Sequence, residues 1–173
     1  MSVIETMKAY LGVDGENEIR SILHEDHQQI LGLVREICEE DAATKRTALF
    51  DALKPFLSAH ARAEEQVVYT RLVAAKAPKD AKDLGNEGFV EHSLVDVLLA
   101  RLAKTTLAGT DAWKAHATVL KELLEHHITE EEGEIFAELG KSFSDEQRAA
   151  MGSAFKLQRD RPLAPKKRAP KAA

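Results

Sequence analysis

Cysteine occurs once, at Cys38, so no internal disulfide is possible, and its place among apolar residues predicts a buried structural thiol. Aromatic residues make up only 5% of the chain. Proline appears five times, three of them beyond residue 160, so the body of the chain has few of the breakers that punctuate sheets and loops. No stretch approaches the roughly 18 consecutive apolar residues that a membrane span needs. The opening Met-Ser-Val-Ile-Glu-Thr-Met also lacks a basic segment leading into an apolar run, and the resulting expectation is a cytoplasmic location. The formal net charge of -5 argues against the body as a nucleic-acid surface, which would need clustered Lys and Arg to neutralise phosphates.

What is abundant is Ala, Leu, Glu and Lys, in a chain of 173 residues that is 44% hydrophobic and 31% charged. That mixture favours helices, and the length suits one domain with a tail. Apolar residues recur at steps of three and four. Ile19, Leu23, Ile30, Val34 and Ile37 predict a first long helix over 17–40, with His27 on the same stripe. Leu49, Leu53, Phe56, Leu57, Val68 and Leu72 predict a second over 44–76, kinked at Pro55. Phe89, His92, Val95, Leu99 and Leu102 mark a third over 86–105. Trp113, Leu120, Leu124, His127, Glu131 and Ile135 mark a fourth over 111–139. Ser144 to Gln147 reads as a capping box opening a shorter helix that packs across the bundle end through Met151 and Phe155. Ser2 and Glu5 read as another before a short opening helix. The expected organisation is therefore an N-terminal flap or short helix over 1–16, an up-down-up-down four-helix bundle over 17–140, a C-terminal helix over 141–160, and a disordered basic tail over 161–173.

Seven histidines are the informative excess. The run His60-Ala-Arg-Ala-Glu64-Glu65-Gln-Val-Val68-Tyr69 repeats as His127-Ile-Thr-Glu-Glu131-Glu132-Gly-Glu-Ile135-Phe136, matching the histidine, both glutamates and the apolar-aromatic pair. His27 and His92 stand at nearly the same distance upstream of the two copies. Two helical hairpins follow, each offering one histidine on its first helix and His-x-x-x-Glu on its second. Four residues of helix rise about 6 Å with a small angular offset, so the imidazole and carboxylate of each copy can reach one metal. His27, His60, Glu64, His92, His127 and Glu131 would give each of two metals two nitrogens, with the carboxylates placed to bridge. A lone His-x-x-x-Glu is commonly a surface ion pair. Six such groups on stripes of Leu, Ile and Val would cost many kcal/mol to bury without a metal, on the order of several for each unpaired group. His126 with Glu130 offers an overlapping pair, but it leads to the polar side of the helix. His126, His116 and His24 are therefore set aside as ligands, although His24 could point into the edge of the bundle.

At these residues the sequence resembles the hemerythrin-like, or HHE cation-binding, family, from about residue 17 to 139. The resemblance implies a non-haem di-iron centre, two iron ions, in a four-helix bundle. It also implies a small-molecule oxidant as partner, dioxygen, peroxide or nitric oxide, in stress response or detoxification, with weak peroxidase-type or oxidase-type turnover. The alternative it leaves is an iron or oxygen sensor without turnover. No nucleic acid is expected on the body and no membrane; the oligomeric state stays open. Oxygen-carrying members have a fifth histidine one turn after the third-helix ligand, where this chain has Asp96. Three readings stand for Asp96: a ligand, a hydrogen-bond partner of a ligand imidazole, or a group facing a polar gap. The second is favoured because ligand imidazoles need such partners.

Overall fold

A computed structural model describes residues 17–161 except residue 75; the expected opening helix, with its Ser2–Glu5 box, and nearly all of the basic tail lie outside the described residues. Five long helical segments and no strand occur among the described residues. Helix α1 spans Ile19–Glu39. Glu18 caps it, its carboxylate accepting from the backbone N–H groups of Arg20 and Ser21. Helix α2 runs over Ala43–Glu64, passing through Pro55 without a break, widens into a π turn over Glu65–Tyr69 and closes with Thr70–Leu72. Helix α3 spans Lys79–Leu102, starting well before the expected residue 86. Helix α4 runs over Asp111–Glu130, widens into a π turn over Glu131–Ile135 and ends as Phe136–Ser142. Helix α5, Asp145–Arg159, opens with the Ser144–Gln147 capping box.

Short connections make successive helices antiparallel neighbours, so α1 packs on α2 and α4, and α3 packs on the same two, giving the up-down-up-down bundle. Helix α5 lies against α1 and α2 through Met151 and Phe155. Two apolar layers fill the interior. One, at the α3–α4 loop end, gathers Ile30, Val34, Phe50, Leu53, Leu99, Trp113 and Leu120. The other, under α5, gathers Ile19, Leu23, Val68, Ile135, Phe136, Leu139 and Phe155. The polar residues of the repeat fall in the level between them, His27 following Leu23 and preceding Ile30 along the same stripe. Cys38 is half-buried at the edge of the first layer rather than enclosed, and burial pushes its thiol up from the ordinary value.

Both π turns begin at the residue after, or at, the glutamate of His-x-x-x-Glu. A π turn inserts one extra residue, so side chains five apart come to share a face. In α2 this sets Tyr69 on the inner face with Glu64; in α4 it sets Phe136 there with Glu131. An uninterrupted α-helix would have turned both aromatics aside. Close approach is bought by Gly88 on α3, where an added Cβ would stand 2.6 Å from the Tyr69 ring and 2.9 Å from its hydroxyl oxygen.

Candidate metal centre

His27, His60, Glu64, His92, His127 and Glu131 are all buried at one level of the bundle. Their imidazole Nε2 atoms converge on two carboxylates. Glu64 reaches three rings, with Oε1 3.7 Å from His27 Nε2 and Oε2 3.2 Å from His60 Nε2 and 3.5 Å from His92 Nε2. Glu131 Oε2 stands 3.3 Å from His27 Nε2 and 3.6 Å from His127 Nε2. His27 and His60 face each other edge-on with centroids 5.1 Å apart, and His92 and His127 repeat that arrangement at 5.0 Å. Two groups of three donors result, His27–His60–Glu64 and Glu64–His92–His127, each with its donor atoms within 4.8 Å of one another.

The outward nitrogen of every ring is held by a carboxylate. The Nδ1–H of His27 donates to Glu132 at 2.9 Å, that of His60 to Asp26 at 3.1 Å, that of His92 to Glu65 at 3.2 Å and that of His127 to Glu91 at 2.5 Å. An ionised carboxylate can only accept, so Nδ1 carries the proton and Nε2 is the nitrogen turned inward. The pattern obeys the sequence repeat. Glu65 and Glu132 are the second glutamates of the two copies, and Asp26 and Glu91 each immediately precede the histidine of α1 or α3. The first signal is visible in the repeat; the second is a one-residue acidic neighbour that means little until α1 and α3 are seen to flank α2 and α4. Arg159 of α5 braces Asp26 at 2.6 Å, and Phe155 stands edge-on to His60.

One hydroxyl separates the two halves. Tyr69 donates to Glu131 Oε1 at 2.7 Å and lies 3.5 Å from the Nε2 atoms of both His92 and His127. Its counterpart Phe136 stacks on His27 at 6.4 Å with nothing to donate. Burial and the nearby Glu131 and Glu64 hold the phenol proton well above its ordinary acidity range, so Tyr69 is a donor at neutral pH. The aromatic pair is plain in the repeat, but its entry into the site depends on the π turns, which no spacing rule announces.

Asp96, expected beside a ligand imidazole, is 28% exposed and pairs with Arg62 at 2.6 Å. A step of four residues rotates about 40° around the helix, which carries Asp96 from the level of His92 to the α2 flank. Arg62 also holds Glu65 at 2.5 Å, so Asp96 and the Glu65 carboxylate that His92 donates to share one guanidinium. His24 shares Glu132 with His27, at 2.9 Å each. His116 is half-buried away from the site, bonded to the Ala112 carbonyl, and His126 is 59% exposed beside Glu130.

Several buried polar atoms at this level have no hydrogen-bond partner. His27 Nε2, both Glu64 oxygens and Glu131 Oε2 lie out of water with no hydrogen bond. Leaving such groups unmatched costs about 1–3 kcal/mol each, and more when charged. Cations between the imidazoles would satisfy all of them together, and the donor set, imidazole with carboxylate, is one that transition metals favour. Without metal, protons do part of that work. Burial pulls His27 and His60 down, but the surrounding carboxylates outweigh it and hold both above their ordinary value; His92 is raised to about 9 by Glu64 and Glu65 against the same desolvation. Glu64 is held well below the ordinary carboxylate range, its burial overcome by His60, His27 and His92.

Fold and site together define a helical metal-binding bundle. The chain belongs to the hemerythrin HHE cation-binding domain family, which matches residues 18–139. It is similar to a DNA nickase of Nostoc sp. (strain PCC 7120 / SAG 25.82 / UTEX 2576), 26% identical over 138 residues, which are 80% of this chain and 38% of that protein. The chain therefore spans well under half of that relative's length. No solved structure matches. No helix among the described residues is long and apolar enough to cross a membrane.

Proposed function

We propose that the chain holds a non-haem di-iron centre that binds or reacts with a small oxidant, dioxygen, peroxide or nitric oxide. His27, His60 and Glu64 would hold one iron, His92 and His127 the other, with Glu64 and Glu131 between them. The observation that carries the reading is a void of about 10 Å³, room for one water-sized molecule, enclosed by the four histidines on one side and by Ile30, Leu57, Val95, Leu124 and Ile128 on the other. A space so small and so apolar suits a diatomic or peroxide and excludes larger substrates. Iron there would supply the electrons exchanged with the oxidant.

The protein's own groups do the rest. The four Nδ1–carboxylate pairs fix the rings so that Nε2 stays aimed inward. Tyr69 offers a proton donor to the His92–His127 half alone, which favours that half for an anionic oxygen ligand. The two apolar layers keep bulk water from the level. Nicking of DNA, in the name of the longer relative, is the second reading; the net charge of -5 opposes phosphate contact. Iron-loaded protein mixed with peroxide, and reduced protein mixed with dioxygen or nitric oxide, tests the proposal by stopped-flow absorption. A supercoiled-plasmid assay on the same samples tests the second. Absence of any spectral change with all three oxidants removes the first reading.

A further inference from the structure

We propose that Glu91, His126 and Glu130 form an outer cation site through which divalent metal enters the buried centre; this rests on the metal-centre reading above. His126 and Glu130 alone are an ordinary pair one turn apart on α4, at 3.4 Å. What exceeds that pattern is Glu91, which comes from the neighbouring helix to 3.7 Å of the same Nε2, placing three donor atoms within 4.8 Å of one another. Glu91 faces both ways, since its other oxygen accepts from His127 Nδ1. A crease between α3 and α4 is lined by Glu91 and Glu130 together with His127 and Glu131. Glu131, whose Oε2 is buried without a hydrogen bond, lines the same crease. A cation held outside thus has carboxylates of Glu87, Glu91, Glu130 and Glu131 along one crease that ends at the buried level.

The test uses full-length metal-free protein and the variant His126→Ala/Glu130→Gln, both mixed with anaerobic Fe(II) and, separately, dialysed against Co(II). The parent should bind one weaker, exchangeable Co(II) beyond those in the centre, and the variant should lack it. Iron uptake by the variant should be about tenfold slower, a barrier higher by about 1.4 kcal/mol, with the same final iron content. Equal uptake rates overturn the route. A centre that stays empty in both proteins, while only the parent binds the outer Co(II), overturns the metal-centre reading instead.

The outer face of α3 carries a separate pattern. Glu87, Val90, Leu94, Val97 and Arg101 follow one another at steps of three and four, all exposed, with Val90 at 62%, Leu94 at 51% and Val97 at 54%. Glu87 and Arg101 form no ion pair among the described residues, and Lys104 extends the basic end. The order is acidic, apolar, apolar, apolar, basic, and reversing it about Leu94 sets each charge opposite its complement. We infer that α3 pairs antiparallel with α3 of a second copy, Leu94 on Leu94, Val90 on Val97 and Glu87 on Arg101. A parallel pair would align like charges. Sedimentation over a range of concentrations should show a dimer that Leu94→Glu abolishes. Glu87→Arg should weaken it at least tenfold, and Glu87→Arg/Arg101→Glu should restore it. A monomer at every concentration, or a dimer indifferent to Leu94→Glu, overturns the pairing.

Discussion

Replacing Gly88 with alanine should disturb the site without touching any of its histidines or carboxylates. The new methyl would stand 2.6 Å from the Tyr69 ring, where ordinary contact begins at 3.4 Å, so the phenol must retreat by about 0.8 Å. Tyr69 ends a rigid π turn and is packed edge-on against Phe89 at 5.4 Å, so the shift has to come from the ring itself. The 2.7 Å bond to Glu131 would then lengthen toward about 3.5 Å, the limit of a hydrogen bond. Overpacking costs about 1–3 kcal/mol and the lost bond about 1. Alanine in place of a mid-helix glycine returns about 0.5–1 kcal/mol. The expected net loss for metal-free protein is about 1–3 kcal/mol, read from urea midpoints. Gly32, exposed on α1 with nothing within 4 Å of an added Cβ, is the control and should be stabilised by alanine by about 0.5–1 kcal/mol. Tyr69→Phe should destabilise by about 1 kcal/mol by itself. Combined with Gly88→Ala, its effect should be less than additive, because both changes remove one hydrogen bond. A Gly88→Ala protein as stable as Gly32→Ala, or strict additivity with Tyr69→Phe, would refute the reasoning.

Metal analysis after iron-replete expression should find about two ions per chain, mainly iron, with near-ultraviolet absorption from a bridged ferric pair; one ion per chain, or a colourless zinc protein, defeats the di-iron proposal. His127→Ala should lose most bound metal, whereas His126→Ala should leave the final content unchanged, and the reverse ranking would place the wrong face of α4 inward. Metal-free and metal-loaded protein should respond oppositely to pH. In the metal-free chain the raised values of His27, His60 and His92 contribute stability that is complete below the ordinary 6.5 and drains away as pH rises through their raised values, about 9 for His92, while the depressed Glu64 contributes above 4.5 and fails as pH falls below it. Metal binding requires deprotonated imidazoles, so the loaded protein should gain on the metal-free one over that same rise. Urea midpoints between pH 5.5 and 9 that run parallel for the two forms would contradict this.

Most of the bundle and the six inner residues are legible because each rests on a period: apolar steps of three and four fix which face is buried, and the duplicated His-x-x-x-Glu-Glu lies on those faces. The start of α3 was not legible, since Asp80, Lys82, Asp83, Gly85 and Gly88 look like a turn until Leu72 and Tyr69 are seen packed against the two glycines. The pairing of Asp96 with Arg62 was not legible, because a rotation of one turn's remainder, small on paper, is enough to swing a short carboxylate toward the α2 flank. The acidic partners of the rings were half visible: repetition marks Glu65 and Glu132, while Asp26 and Glu91 acquire meaning only from the neighbouring helix. Tyr69 was visible as a repeated aromatic position, but its hydroxyl is in play only because the helix widens at that turn.

The cross-bracing of the rings says something about how such a site could arise. His60 and His127 take their carboxylates from within their own hairpin, Asp26 and Glu91, whereas His27 and His92 take theirs, Glu132 and Glu65, from the opposite one. A lone hairpin would orient one of its two histidines and leave the other adrift. Two identical hairpins meeting face to face would complete all four pairs, with no need for a loop between them. None of these four pairs depends on the α2–α3 connection, and the two halves differ where one carries Tyr69 and the other Phe136.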